Sequence, residues 1–155
     1  KDQGFKYSTI SGITVSIADV ALVQGKEDIL KEGDEKVEKI TRLYSRGIVT
    51  DKERHDKVIK VWENAKDQIS KKLEGQLLEN PRNPIYMMSD SGARGNMSNF
   101  LQLSGLRGLM SNPSGETIEL PIKSCFREGL TVSEFFIAIS HNWFTRPSFR
   151  FTRNL

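Results

Sequence analysis

The residues with the clearest chemical potential are Arg94 and the two glycines near it, Gly92 and Gly95. Glycine adopts positive φ readily, so this stretch can turn sharply and leave backbone amides uncovered while the guanidinium projects. Such a loop predicts an anion site, because a guanidinium holds phosphate oxygens well. Glycine pairs also mark turns in every fold class, so the same residues fit an ordinary loop between a strand and a helix. The residues alone leave both interpretations open.

Thiol and metal chemistry have little support in the sequence. Cys125 is the single cysteine, which excludes an internal disulfide and fits a reducing cytoplasm. The two histidines, His55 and His141, lie in different segments, and a zinc or Cys–His site needs ligands that the chain lacks. We therefore expect no catalytic residue, no metal ligand and no cofactor within this chain.

Composition indicates one domain with a modest core. The chain has 155 residues, of which 37% are hydrophobic and 28% charged. No apolar run approaches the roughly 20 residues of a membrane span. The net charge of +3 is too small, and its residues too interleaved, to predict nucleic-acid binding by itself. The amino end has no initiator methionine and no apolar leader, so we expect a cut fragment of a longer protein.

Two stretches precede the glycine-rich loop: a lead-in segment over residues 1–24 and a helical stretch over residues 25–79. In the lead-in, Thr9 to Ile17 alternates apolar and polar residues, as a half-buried strand does. The helical stretch contains a stop signal, Gly47 with Ile48 behind it as the hydrophobic contact of a Schellman motif. Thr50 then forms a capping box with a glutamate three residues later, which starts a second helix.

Both helices carry apolar residues at coiled-coil spacing. These residues are Leu30, Val37, Ile40, Tyr44, Val58, Trp62, Ala65 and Ile69. The spacing predicts an antiparallel coiled-coil hairpin in which each apolar stripe covers the other. The stripe is explained by core packing alone, although such a hairpin can also protrude and offer its tip to other proteins.

The remaining stretches are a small irregular α+β module over residues 80–130 and the start of a helix over 131–140. Ile118 to Ile122 is predicted as a short strand with Pro121 at an edge position. Arg127 and Glu128 are expected to pair with each other on a surface turn. Thr131 forms a second capping box and begins the last helix. The fold class is therefore mainly α with short strands.

Three motifs resemble the β′ subunits of bacterial RNA polymerases, the largest catalytic subunits of these enzymes. They are Gly-Ile-Val-Thr-Asp-Lys-Glu-Arg over residues 47–54, Met-Ser-Asp-Ser-Gly-Ala-Arg-Gly over 88–95, and Phe-Arg-Glu-Gly-Leu over 126–130. The resemblance runs in the family's order from about Phe5 to Ile139. It implies a hairpin at the rim of the secondary channel, an F-loop region and the first turns of a bridge helix, all part of a larger polymerase subunit.

The resemblance also implies roles for individual residues. Arg94 is expected to lie near the triphosphate of the incoming nucleotide. Residues expected to support the active centre are Ser91, Gly92, Gly95, Arg127 and Glu128. Residues expected at the factor-docking hairpin tip are Arg46, Gly47, Ile48, Thr50 and Asp51. The family's magnesium-binding aspartate loop is missing, so we expect the fragment alone to be inactive.

Partners and location follow from the same resemblance. We expect the other polymerase subunits (β, α and ω), nucleoside triphosphates, and transcript-cleavage and stringent-response factors at the hairpin. DNA and RNA are expected partners through the whole enzyme, Mg²⁺ and Zn²⁺ are expected outside this chain, and no membrane contact is expected. The location implied is cytoplasmic and nucleoid-associated.

The chain departs from the family pattern at Cys125, where the family has Asn, and over residues 141–155, an atypical tail in which Pro147 breaks a continuing helix. We hypothesise a frameshift near Ser140, because the next reading frame permits several bridge-helix residues. Two other classes stay open: a free-standing coiled-coil interaction module, and an independent phosphate-binding enzyme built on the Ser91 to Gly95 loop. The enzyme lacks support because no base, nucleophile or metal cluster accompanies the loop.

Overall fold

The fold is an assembly of helices around one long hairpin. A computed structural model describes residues 1–112 and 114–145. Its α-helices are α1 (Asp2–Ser11), α2 (Lys26–Ser45), α3 (Asp51–Glu79), α4 (Pro84–Asp90), α5 (Met97–Phe100) and α6 (Val132–Thr145). A 3₁₀ turn covers Ile17–Asp19 and a π-helical turn covers Leu101–Gly105. The mainly helical prediction is confirmed, and none of the described helices is long and apolar enough to cross a membrane.

The strand predicted over Thr9 to Ile17 is wrong. Its first residues belong to α1, which Gly12 ends with a φ of 68°. No residue of α1 is buried, and Ile10, Ile13 and Ile17 are exposed. An extended segment needs a hydrogen-bonded neighbour, and no other described segment pairs with this one, so a helix satisfies the backbone locally.

The turn of the hairpin forms as predicted, except for one contact. Gly47 has a φ of 74°, its amide donates to the Tyr44 carbonyl at 2.8 Å, and the Ile48 amide donates to the Leu43 carbonyl at 3.1 Å. This is the Schellman pattern. Thr50 and Glu53 make both bonds of the capping box. Ile48, however, is 65% exposed, so its expected packing contact is not made.

The hairpin closes around Trp62. Trp62 is 4% exposed and lies opposite Gly33 of α2, where an added Cβ would stand 3.0 Å from the indole ring. Val58, Ala65 and Ile69 are buried along the same face of α3, as predicted. Tyr44 is 42% exposed, so the predicted seam frays at the tip.

The second half of α3 supports the module that follows it. Ile69, Leu73 and Leu77 are buried in the same core as Leu101 and Leu106. An added Cβ at Gly105 would lie 3.0 Å from Ile69, so the π-helical turn packs directly on α3. The hairpin and the module therefore share one core rather than forming separate bodies.

The strand predicted over Ile118 to Ile122 is also wrong. Within the described residues this region makes only two isolated bridges, Gly108 with Ile122 and Ser111 with Thr117. The Ile118 amide donates to the Met110 carbonyl at 2.8 Å, so the chain advances four residues from Ile118 to Ile122 against only two from Met110 to Gly108. The two bridges are therefore out of register, and no continuous ladder joins them. Isolated hydrogen bonds hold the backbone instead. The Gly108 amide donates to the Ile122 carbonyl at 3.0 Å, and the Ile122 amide donates to the Gly108 carbonyl at 2.9 Å.

The capping box at Thr131 is confirmed, and α6 begins at Val132 as expected. The helix continues to Thr145, beyond the 131–140 range that the sequence predicted. Residues 146–155, with Pro147, lie outside the described residues. The hypothesis of a frameshift near Ser140 therefore stays a prediction.

A pair of glycine substitutions tests the packing of Trp62. Gly33→Leu should lower the free energy of unfolding by about 1–3 kcal/mol, because the new side chain collides with a buried indole ring. Gly75→Leu is the matched control, since Gly75 lies in α3 with open space around it. Leucine has a higher helix propensity than glycine, so Gly75→Leu should leave the free energy of unfolding unchanged or raise it. Thermal unfolding of both variants measures the difference, and equal effects would contradict the packing.

Candidate functional site

The turn that carries Arg94 follows α4. Asn83 caps α4 through its side chain, which accepts from the Ile85 amide at 2.9 Å. After Ser91 the chain turns through Gly92, whose φ is 68°, and Gly95, whose φ is 82°. The predicted positive φ at both glycines is confirmed.

The guanidinium of Arg94 is exposed and has no ion pair among the residues that the structure describes. Its backbone amide donates to the Met88 carbonyl at 3.4 Å, which closes the turn onto the end of α4. At the exit, an added Cβ on Gly95 would stand 3.0 Å from the ring of Phe100, a buried residue of α5. The turn is thus anchored at both ends while its one cation stays available for an anion.

The turn at Arg127 and Glu128 differs from the expectation, because the two side chains do not pair with each other. Glu128 pairs with Lys26 at the start of α2 and accepts from the Cys125 amide at 3.0 Å. Arg127 donates to the Val20 carbonyl. Glu128 binds Lys26 because the Lys26 side chain is only 7% exposed and needs a counter-charge. Arg127 is then left to satisfy a backbone carbonyl of the segment that enters the hairpin.

The pKa shifts of Glu128 and Cys125 fit a structural role for this turn. Burial by itself would raise the pKa of Glu128, but the bonds from Lys26 and Cys125 outweigh it and hold that pKa below its usual range. Burial raises the pKa of the Cys125 thiol, which is fully enclosed. A buried neutral thiol is a poor nucleophile, so Cys125 acts as a small core residue.

Two of the predicted groups, the Arg94 turn and the turn at Arg127 and Glu128, contact neighbouring parts of residues 100–105. The third group, the hairpin tip, lies apart from them. The Phe126 amide donates to the Gln102 carbonyl at 3.0 Å and the Arg127 amide to the Leu103 carbonyl at 3.2 Å. The 126–129 turn therefore rests on the π-helical turn that directly follows Phe100, the anchor of the Arg94 turn. The tip precedes the first residue of α3, Asp51, whereas the π-helical turn packs on Ile69, 18 residues or about 27 Å further along the helix.

All five predicted tip residues are exposed: Arg46, Gly47, Ile48, Thr50 and Asp51. Val49 between them is buried and fixes the turn from beneath. The Schellman motif and the capping box hold the backbone rigid on either side. The tip therefore presents an exposed turn, fixed by its own hydrogen bonds, with an apolar residue, Ile48, at its centre.

Sequence reasoning missed a group of charges just behind the tip. The Arg54 guanidinium donates two hydrogen bonds, of 2.6 and 2.8 Å, to the Glu119 carboxylate in a bidentate contact. His55 Nδ1 lies 2.8 Å from the same carboxylate. The bond from Arg54 lowers the pKa of Glu119, and Glu119 in turn raises the pKa of the guanidinium. These partners are about 65 positions apart, so no local spacing announces them.

The Glu134 carboxylate accepts four hydrogen bonds at the start of α6. It accepts from the Thr131 amide at 3.0 Å and hydroxyl at 2.9 Å, and from the amides of Lys123 and Ser124 at 2.9 and 3.1 Å. Burial by itself would raise the pKa, but the bonds from Thr131 and Ser124 outweigh it and lower that pKa from its ordinary 4.5 to about 2. The charged form is the one the fold requires.

We expect Glu134→Gln to lower the free energy of unfolding at pH 7 by about 1–3 kcal/mol, because hydrogen bonds to a charged acceptor are lost. The depressed pKa stabilises the fold fully above its unfolded value of 4.5, and this stabilisation disappears as the pH falls towards 2. Denaturant unfolding should therefore show the gap between the variant and the unmodified chain closing from about pH 5 to pH 2. Glu116→Gln, at an exposed glutamate, is the control. A gap that is constant across this range would contradict the assignment.

Comparison with known proteins gives a consistent result. Residues 49–127 match the family model described as RNA polymerase Rpb1, domain 4. A DNA-directed RNA polymerase β′ subunit from Shouchella clausii is 61% identical over 138 residues, those from Bacillus cytotoxicus and Halalkalibacterium halodurans are 60% and 59% identical over the same length, and each alignment covers 89% of this chain. The chain spans only 11% of the length of these relatives.

Proposed function

Because this chain belongs to the RNA polymerase Rpb1 domain 4 family, we propose that it works as a piece of a DNA-directed RNA polymerase β′ subunit. In this role it takes part in DNA-templated transcription by lining the nucleotide-entry channel and supporting the active centre. The observation that carries the proposal is the family match over residues 49–127, which includes α3, the Arg94 turn and Arg127 in one continuous stretch. Polymerase activity then belongs to the whole enzyme.

Within this role Arg94 binds the phosphates of the incoming nucleoside triphosphate. Its exposure and its freedom from any ion pair among the described residues support the assignment. A planar guanidinium holds two phosphate oxygens at once and stabilises the charge that develops during phosphoryl transfer. The glycines at 92 and 95 keep the backbone around it bare, which allows a triphosphate to approach closely.

The hairpin tip serves as a docking surface for transcript-cleavage and stringent-response factors. Its support is the rigid, exposed turn from Arg46 to Asp51, with an apolar residue at the centre and charges of both signs around it. Interfaces of this composition, an apolar centre with a polar rim, suit reversible protein binding. The remaining partners are the β, α and ω subunits, with DNA and RNA reached through the assembled enzyme in the cytoplasm, at the nucleoid.

The metal ions of such an enzyme bind outside this chain in our proposal. Two-metal phosphoryl transfer needs closely spaced carboxylates. Among the described residues there is no group of three His, Cys, Asp or Glu side chains placed to hold an ion. In the proposal the described part of the chain therefore binds no Mg²⁺ or Zn²⁺, and its part in the reaction is to position substrate and neighbouring elements.

A hybrid polymerase tests the proposal. In this enzyme, residues of the chain replace the matching stretch of the Halalkalibacterium halodurans β′ subunit, to which the chain is 59% identical. Assembly with the other subunits and RNA synthesis on a DNA template are then measured against the parent enzyme. A free-standing interaction module has no reason to restore synthesis in that position.

A further inference from the structure

One short stretch, residues 117–124, contacts the hairpin on one side and α6 on the other. We call it the connecting segment. It is joined to the module by the bridges at Thr117 and Ile122. Its contacts with both elements make it a direct physical link between the hairpin and α6.

On the hairpin side the connecting segment makes two charged contacts. Glu119 accepts both prongs of Arg54 at 2.6 and 2.8 Å, and His55 approaches the same carboxylate. Lys123 contacts both carboxylate oxygens of Asp34 at 2.6 and 2.8 Å, and its ammonium lies 5.2 Å from the centroid of the Trp62 ring. Both helices of the hairpin are therefore held. The Arg54 contact is the more directional of the two, since a guanidinium and a carboxylate match in two parallel bonds.

On the α6 side the connecting segment ends in the cap of the helix. The amides of Lys123 and Ser124 donate to the carboxylate of Glu134. Ile122 is completely buried in a small core that also contains Ala138 of α6. Glu119 and Ser124 are five residues apart, at most about 17 Å, and the buried Ile122 between them fixes this stretch in the core.

We propose that Glu119 is a positioning residue that couples the orientation of the hairpin, near its tip, to the orientation of the start of α6. The role of this coupling in an enzyme rests on the proposed function: a factor bound to the tip would shift the orientation of the start of α6 through Glu119. The coupling itself is a property of the chain. It is reciprocal, so a change at the α6 cap must also reach the tip end of α3.

Hydrogen exchange on the purified 155-residue chain tests the coupling. Glu119→Gln keeps the side-chain size and removes the charge that binds Arg54 and His55. We expect exchange of the α6 amides at residues 135–139 to accelerate about tenfold, because the charged contact is worth about one decade in local opening. Amides around Ile69, in the shared core, should keep their rates and serve as an internal reference. Glu116→Gln, at an exposed glutamate of the same loop, should change neither region.

Faster exchange confined to residues 54–58 and 117–120, with α6 unchanged, would overturn the proposal, because Glu119 would then act only locally. If Glu119→Gln unfolds the chain, Arg54→Lys replaces it as the test variant, because lysine keeps the positive charge but cannot make the bidentate contact. It should accelerate α6 by a smaller factor. In the reciprocal experiment Glu134→Gln should accelerate exchange at residues 54–58, the first hydrogen-bonded amides of α3, and unchanged rates there would also overturn the coupling. The exchange data are independent of polymerase activity, so an inactive hybrid enzyme would contradict the proposed function and leave the coupling intact.

Discussion

Arg94→Ala in the hybrid polymerase should lower kcat/KM for nucleoside triphosphates by about 100-fold, the usual effect of removing one preorganised donor from a charged transition state. An exposed guanidinium with no competing ion pair among the described residues has all its donors available for phosphate. If it binds the triphosphate before and during transfer, KM should rise and kcat should fall together. Steady-state RNA synthesis at varied nucleotide concentration measures both.

Two variants serve as controls for this experiment. Arg82→Ala removes another exposed arginine from the loop that precedes α4, and it should leave both constants close to those of the hybrid. Arg94→Lys should fall between Ala and Arg, because lysine supplies the charge without the fork. An Arg94→Ala enzyme with unchanged kcat and KM would remove the proposed role of this residue.

Substitution of the exposed tip should reduce the binding of a transcript-cleavage factor of the Gre type by at least about tenfold, as expected for the centre of a small docking surface. The variant Arg46→Ala with Ile48→Ser changes only exposed side chains and leaves Gly47 and Thr50, which hold the turn, in place. The 65% exposure of Ile48 means that its loss costs the hairpin little packing. Binding of the purified chain to the factor, by calorimetry or fluorescence anisotropy, measures the change.

The matched control is Leu78→Ser, another exposed apolar residue at the far end of α3. It should bind the factor as the unmodified chain does. Scrambling residues 45–51 should abolish binding altogether. If the factor still binds the scrambled chain, it uses a surface other than the tip, and the proposed docking site is wrong.

Local signals in the sequence predicted the parts of the fold that depend on neighbouring residues. The Gly47 stop, the capping boxes at Thr50 and Thr131, and the buried positions on α3 are set by interactions within a few residues, and all are confirmed. Positive φ at Gly92 and Gly95 follows from the same local logic. Local chemistry is readable because its partners lie within one or two helical turns.

The errors arose where distant partners decide the structure. Alternation over Thr9 to Ile17 suggested a strand, but no described segment pairs with it. Arg127 and Glu128 are adjacent and of opposite charge, yet Val20 and Lys26 bind them instead. Glu119 gave no signal at all, because its partners are helix residues far along the chain. The roles of Arg94 and the tip came from the family resemblance, which supplies a context that spacing lacks.

The most direct test of the account is RNA synthesis by the hybrid polymerase. Residues 1–139 of the chain carry the hairpin, the Arg94 turn and the start of α6, so the hybrid β′ subunit should assemble with β, α and ω and transcribe a DNA template at a rate comparable to the parent. A hybrid that assembles normally, as judged by subunit composition, but makes no RNA while the parent enzyme does would contradict the proposed function.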